Sequence, residues 1–240
     1  MQRGPTSASD AEVAALDDAE ITLEPWHWAF AAQRRGEIDR HFARLQSERS
    51  GVWNGRALLL RGHEIRDRVL RGACFETDYA SLCAWRDWQF PDPAVSNFFV
   101  VAALRAADGA YLVGEMAADT AAAGLLYFPC GTPEPDDIGA GGVFDLAGNL
   151  RRELLEETGL EVAELESEVG WTLVRDRRYV ALLKRLTAPQ KADELRARIM
   201  RHIASEERPE LIDIHILRGS ADFNERMPPF VTLFLEMMWR

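Results

Sequence analysis

Arg152-Glu153-Leu154-Leu155-Glu156-Glu157-Thr158-Gly159-Leu160 is the stretch on which the reading of this chain turns. As a helix it puts Glu153, Glu156 and Glu157 at i, i+3 and i+4, so three carboxylates project from one side. Like charges at that spacing destabilise a helix by about 0.2–0.5 kcal/mol per pair, so the cluster calls for a cation. Oxygen-only clusters are what hard divalent cations bind, and Mg²⁺ commonly combines a few carboxylates with waters and substrate phosphates. Leu154 and Leu155 are expected to anchor the helix in the core, and Arg152 can orient a carboxylate through a bidentate pair. The ends are marked as well. Asp145 suits the N-cap of a helix over Leu146–Thr158, and Gly159 suits a left-handed stop.

Working outward, the segments around this helix read as strands. Phe98–Leu104 is a continuous apolar run suited to a buried strand, and Asp108-Gly109 turns the chain into Tyr111-Leu112-Val113. Leu125–Phe128 is a strand stopped by Pro129, followed by a Gly- and Asp-rich loop from Cys130 to Gly142. Val169–Val174 and Tyr179–Leu186 form a hairpin around Arg175-Asp176, Ala192–Ala204 is helical, and Leu211–Leu217 alternates as a half-buried strand. Met227-Pro228-Pro229 opens a last apolar helix, Phe230–Trp239, which could close the core or form a homodimer surface. Strands, helix, strands and helix in that order predict an α/β sandwich with a mixed sheet rather than a doubly wound parallel sheet.

Upstream, residues 1–22 are small, polar and acidic and are expected to form a loose tail. Residues 23–96 read as a small α+β extension. It has a helix opened by Pro25 and broken near Gly36, a hairpin of Ala57–Leu60 and Val69–Phe75, and a helix over Tyr79–Trp88. Lacking a long apolar core of its own, this extension is expected to pack on the domain over residues 97–240.

Composition narrows the function. The 240 residues carry a formal charge of −11, from 39 acids and 28 bases, which disfavours a dedicated nucleic-acid or anionic-membrane binder. From Gly131 to Gly170 the chain carries eleven acids and two bases, so most of the acidity surrounds the proposed cation site. An anionic ligand would need that cation. Three cysteines, Cys74, Cys83 and Cys130, fit a reducing compartment better than a disulfide scaffold. With no apolar run near bilayer length and no secretory signal, the expected location is the cytoplasm.

The segment Arg152–Leu160 resembles the second half of the Nudix box, G-x5-E-x7-R-E-U-x-E-E-x-G-U with U aliphatic, at every specified position. Gly131 suits the opening Gly, and Phe128-Pro129-Cys130-Gly131 is similar to the family's Phe-Pro-Gly-Gly approach. The first half departs from the pattern. Asp137 stands where Glu is wanted, with Glu134 an alternative stand-in. Twenty residues rather than thirteen separate Gly131 from Arg152, placing seven extra within Ile138–Asp145. The resemblance implies an α/β/α Nudix sandwich and hydrolysis of a nucleoside diphosphate linked to X, giving a nucleoside monophosphate and phospho-X. Glu153, Glu156, Glu157 and the Cys130 carbonyl would bind Mg²⁺ or Mn²⁺. A general base would come from a loop beyond the box, where Glu206, Glu207 and Glu210 are candidates and Glu207 is taken as the first choice. The N-terminal layout and Pro129-Cys130-Gly131-Thr132-Pro133-Glu134-Pro135 are similar to Nudix proteins that cleave UDP-sugars. A nucleotide sugar such as a UDP-sugar or ADP-ribose is therefore the expected substrate. Coenzyme A, a dinucleotide, or a non-catalytic nucleotide sensor are the alternatives.

Other residues carry two readings each. Arg175, Arg177 and Arg178 could grip a substrate phosphate or be a solvated hairpin tip. Cys130 could be a reactive thiol or a small residue in a turn. Among Trp26, Trp28, Trp53, Trp85 and Trp88 one could stack a base while the rest pack. The five histidines show no ligand spacing.

Overall fold

The computed structural model describes residues 11–240. Its centre is β5 (Asn97–Arg105), whose side chains alternate between two cores. Phe98, Val100, Ala102 and Leu104 point to one face, and Phe99, Val101 and Ala103 to the other. This is why the strand reads as an unbroken apolar run: both faces are covered. The strand β10 (Tyr179–Thr187) lies parallel beside it, Val180 opposite Phe98. Then come β9 (Trp171–Asp176), antiparallel to β10, and β1 (Glu12–Leu16), antiparallel to β9, at the sheet edge. On the other side stand β6 (Tyr111–Met116) and β11 (Leu211–Leu217), antiparallel to each other. Two short strands, β7 (Leu126–Tyr127) on β6 and β8 (Glu166–Ser167) on β10, complete a mixed sheet.

Helices α4 (Leu146–Thr158) and α5 (Ala192–Ile203) cover one face through Leu150, Leu154, Leu195 and Ile199. Helix α6 (Pro229–Met238) covers the other through Phe230, Val231, Phe234 and Leu235. The expected α/β/α sandwich is thus present, and α6 closes the core. Among the described residues no helix is long and apolar enough to cross a membrane.

Residues 12–23 depart from the expected tail. Besides β1 they form β2 (Asp18–Leu23), which pairs in parallel with β4 (Val69–Asp78), itself antiparallel to β3 (Arg56–Arg66). Leu16 and Ile21 are fully buried. The segment has only a few large apolar residues, so its strand character comes from the edges of β9 and β4 rather than from its own pattern. The expected tail of residues 1–10 lies outside the described residues. A division at residues 22/23 therefore falls inside β2 and separates β1 from its partner β9 in the main sheet and most of β2 from its partner β4 in the small one.

The extension also has more core than its sequence suggested. Helices α1 (Ala29–Gln33), α2 (Arg35–Glu48) and α3 (Tyr79–Asp87) enclose Trp28, Ile38, Phe42, Leu59, Phe75 and Trp85. The helical break falls at Arg34, and Gly36 lies inside α2. The opposite face of the small sheet, with Leu58, Leu60, Leu70 and Cys74, joins the core under α4 and α5. In β11 a bulge between Leu211 and Asp213 turns Ile212 outward, where strict alternation predicted it inside.

Candidate active site

The site forms where the main sheet splits. β5 and β6 pair at Arg105 and Tyr111 and then diverge, and the chain leaving β7 enters the gap. The backbone N–H of Ala102 donates to the Pro129 carbonyl at 2.9 Å. This holds Cys130-Gly131 against the side of α4.

Helix α4 begins and ends as its sequence dictates. Asp145 Oδ1 accepts from the Gly148 N–H at 2.8 Å, and Gly159 adopts φ +67°. Along its buried side, Asn149, Glu153 and Glu157 stand at i, i+4 and i+8, all less than 9% exposed. Glu156 stands on the open side with its side chain 60% exposed. Of the two leucines expected to anchor the helix, Leu154 is buried and Leu155 is exposed. Gly131 packs directly against the Glu153 carboxylate, which a Cβ at that position would displace.

Arg152 and Asp137 organise the carboxylates. Arg152 Nη2 donates to both Asp137 oxygens, at 2.9 and 3.2 Å. Its Nη1 lies 2.7 Å from Glu153 Oε1 and 3.5 Å from Glu156 Oε2. Asp137, 8% exposed, also accepts from Asn149 Nδ2 at 3.0 Å and from the Glu134 N–H at 2.9 Å. The residue standing at the pattern's Glu is thus the anchor of the box arginine. Asn149 was missed in the sequence reading; its signal was its place one turn before Glu153.

The lengthened loop keeps this anchor in place. The Asp145 N–H donates to the Asp137 carbonyl at 2.8 Å, closing Ile138–Phe144 into a seven-residue excursion. Discounting it leaves thirteen residues between Gly131 and Arg152, the spacing of the box.

Burial dominates the electrostatics. The Glu153 carboxyl is pushed up to about 7 by burial, with Arg152 pulling the other way and Glu156 and Glu210 adding to the rise. Glu157 is also raised well above its ordinary range, by burial first and then by Glu153 and Glu210, with the nearby Cys130 backbone N–H pulling the other way; among the described residues neither of its oxygens meets a well-aligned donor. Glu210 is raised by partial burial and by Glu156. The Cys130 thiol is held well above its ordinary range by burial and by the Glu157 and Glu153 charges, so it stays a neutral thiol.

A divalent cation fits this donor set in chemistry: all oxygen, largely buried, with two Glu157 carboxylate oxygens that meet no well-aligned donor among the described residues. Among the described residues, no three His, Cys, Asp or Glu side chains yet converge on one point. Glu153, Glu156, Glu210, Cys130 and Gly131 line a cavity of about 860 Å³ between the main sheet and the N-terminal helices.

Two of the candidate groups lie away from this cavity. Glu207 and Glu210 are both exposed overall, but Glu207 does not line the cavity, and Glu210, three residues on and immediately before β11, does. The backbone explains the choice, since the Ala117 N–H donates to the Glu210 carbonyl at 2.8 Å and fixes it beside β6. Arg175, Arg177 and Arg178 also lie off the cavity. Arg175 pairs with Glu12 of β1, a partner hidden in the supposed tail, and Arg177 takes φ +52° in the tight turn. Besides Arg152, the arginines that line the cavity are Arg44, Arg49, Arg56 and Arg86, all from the N-terminal extension. Of the tryptophans, Trp28 and Trp85 are buried, and Trp53, 66% exposed, lines the cavity.

The solved structures to which this chain is similar include Nudix proteins. One is the MutT protein from Methanosarcina mazei Go1, at 17% identity, covering 60% of this chain and 94% of that one with a TM-score of 0.41. Another is the Nudix hydrolase RenU from M. smegmatis, at 10% identity, covering 60% and 83% with a TM-score of 0.38. A third is a bifunctional NMN adenylyltransferase/ADP ribose pyrophosphatase from Francisella tularensis, at 15% identity, covering 60% and 41% with a TM-score of 0.39. No family model and no curated protein matches the chain.

Proposed function

We propose that this chain is a Nudix hydrolase that cleaves the phosphoric anhydride of a nucleoside diphosphate linked to X, using Mg²⁺ or Mn²⁺. The observation that carries the reading is the placement of Glu153, Glu156 and Glu157. They occupy the box spacing on α4, with Gly131 packed directly against the Glu153 carboxylate and with Glu157 buried and, among the described residues, without a well-aligned donor to its oxygens. Glu153, Glu156, Glu157 and the Cys130 carbonyl are the groups that would hold the cation. When bound, it would neutralise the diphosphate and acidify the attacking water.

The chain's own residues supply the rest. Asp137 holds Arg152, which holds Glu153 and Glu156 in place from behind. Glu210 shares the cavity, and its raised proton affinity suits it to take the proton of the attacking water at its carboxylate. A nucleotide sugar such as a UDP-sugar or ADP-ribose suits the volume of the cavity.

The test is a panel of nucleoside diphosphate derivatives assayed with Mg²⁺ and Mn²⁺, with products identified. The wild type should release a nucleoside monophosphate. Glu156→Gln and Glu157→Gln should each lose about a hundredfold or more in kcat, which corresponds to about 2.7 kcal/mol. Unchanged turnover in these variants would overturn the assignment. Tight nucleotide binding without hydrolysis under either metal would make the chain a sensor.

A further inference from the structure

The cavity has two walls of opposite character. The wall from the main domain carries Glu134, Glu153, Glu156, Asp176 and Glu210 against Arg152 alone. The wall from the N-terminal extension carries Arg44, Arg49, Arg56 and Arg86, with His41, against Glu48 and Asp87. In a chain of charge −11, that is where basic side chains gather around the site.

Two of these arginines are already committed. Arg56 donates through Nε and Nη2 to the two carboxylate oxygens of Glu76, and Arg49 Nη1 donates to the carbonyls of Thr120 and Ala121. The other two are not. Arg44 is near His41 Nδ1 at 3.3 Å, and among the described residues no carboxylate lies within 4 Å of it. Arg86 uses Nε on Asp87 at 2.9 Å, and its two terminal nitrogens have no partner among the described residues. That side chain is only 25% exposed. Neither guanidinium pairs across the cavity with Glu153, Glu156 or Glu210, whose ionic contacts are with Arg152 where they have any. The fold holds these charges apart and pointed into one space. A guanidinium with a free fork matches the geometry of a carboxylate or phosphate. On the hydrolase reading the scissile diphosphate belongs at the carboxylate wall, which neither arginine contacts, and this leaves the arginines for a different group. The volume, about 860 Å³, accommodates both, and Tyr79, Phe99 and Tyr179 also line it.

We infer that Arg44 and Arg86 bind an anionic group that the substrate carries in addition to its scissile diphosphate, a carboxylate on X or a second phosphate on the nucleoside. This rests on the hydrolase reading above and narrows its substrate class.

The experiment compares matched pairs that differ by one anionic group: UDP-glucuronic acid against UDP-glucose, and coenzyme A against dephospho-coenzyme A. The charged member of one pair should be preferred by about tenfold or more in kcat/KM, mainly through KM. The preferred pair tells whether the anion sits on X or on the nucleoside. Arg44→Ala and Arg86→Gln should collapse the preference, and Arg86→Lys should restore part of it. A second readout needs no turnover. Calorimetric titration of the metal-free protein with glucuronic acid 1-phosphate and glucose 1-phosphate should show the same order of affinity for a carboxylate on X. Melting temperatures of the variants guard against misfolding. Hydrolysis of both members of each pair without preference, or a preference untouched in folded variants, overturns the inference while leaving the hydrolase intact. Absence of hydrolysis throughout the panel overturns the hydrolase reading instead.

Discussion

Replacing Glu153 by Gln should remove a pH dependence from the stability of the metal-free protein. Burial pushes the Glu153 carboxyl from its ordinary 4.5 up to about 7 in the folded chain, while Arg152 at 2.7 Å restrains the rise. The folded state therefore holds this proton more tightly than the unfolded state. Its stabilising contribution is complete below about pH 4.5, declines as the unfolded chain ionises, and is gone once pH passes 7. A difference of roughly 2.5 pH units at 1.36 kcal/mol each makes this about 3 kcal/mol. The side chain is only 10% exposed, so solvent screening takes little from that figure. Gln has no proton to release, and removing the charge also eases Glu157 and Glu210. The measurement is urea unfolding in EDTA at several pH values from 4.5 to 7.5, followed by the fluorescence of buried Trp28 and Trp85. The stability of Glu153→Gln relative to wild type should rise by about 3 kcal/mol across that range. A difference that stays flat, or falls with pH, would mean that Arg152 outweighs burial and that Glu153 is ionised throughout.

The same site supports three further expectations. Mg²⁺ or Mn²⁺ at a hundred times its Kd should stabilise the protein by about 2.7 kcal/mol, more at pH 8 than at pH 5.5 because the cation must displace protons; a melting temperature indifferent to metal at pH 8 would count against the site. Gly131→Ala puts a methyl group into the space of the Glu153 carboxylate, so urea unfolding should show a loss of about 1–3 kcal/mol, with turnover falling as well. Asp137→Ala strands Arg152 and Asn149, and should cost roughly 2 kcal/mol of stability and lower kcat more than it raises KM.

What the sequence revealed and what it hid follow from where each signal is stored. The bounds of helix α4 were legible to the residue because its cap and its stop are local, whereas the split that leaves Glu156 and Leu155 exposed and buries Glu153 and Glu157 depends on what packs against the helix. Phe98–Leu104 was legible as a buried strand because both faces are apolar. Strands β1 and β2 were hidden. Glu-Val-Ala-Ala-Leu has little pattern of its own and becomes a strand because β9 offers an edge. That omission propagated, since Arg175 stood out as a free cation only while Glu12 was assigned to a tail. Glu207 and Glu210 are equivalent in composition, and only the hydrogen bond from Ala117 to the Glu210 carbonyl brings one of them to the cavity. The basic wall was invisible for a different reason. Arg44 lies in α2, Arg49 just beyond its end, Arg56 in β3 and Arg86 in α3, and only the packing of the extension on the main sheet gathers them.

The irregular first half of the box makes the general point about spacing. A motif length constrains the path of the backbone, and residue count measures that path only when the loop has no closed excursion. Ile138–Phe144 leaves and returns across one hydrogen bond between Asp145 and Asp137, so the helix cap and the arginine anchor remain adjacent. The excursion is itself held: Phe144 is buried against Phe98, its N–H donates to the Ile21 carbonyl, and Val143 bridges to Thr22. Strand β2, which the sequence assigned to a tail, thus holds the loop that carries Asp137. Through Asp137 and Arg152 the N-terminal segment reaches the carboxylates from behind, while α2 and α3 face them across the cavity. The extension is therefore part of the site's construction on both sides, and removing it would disturb the carboxylate wall as well as the arginine wall.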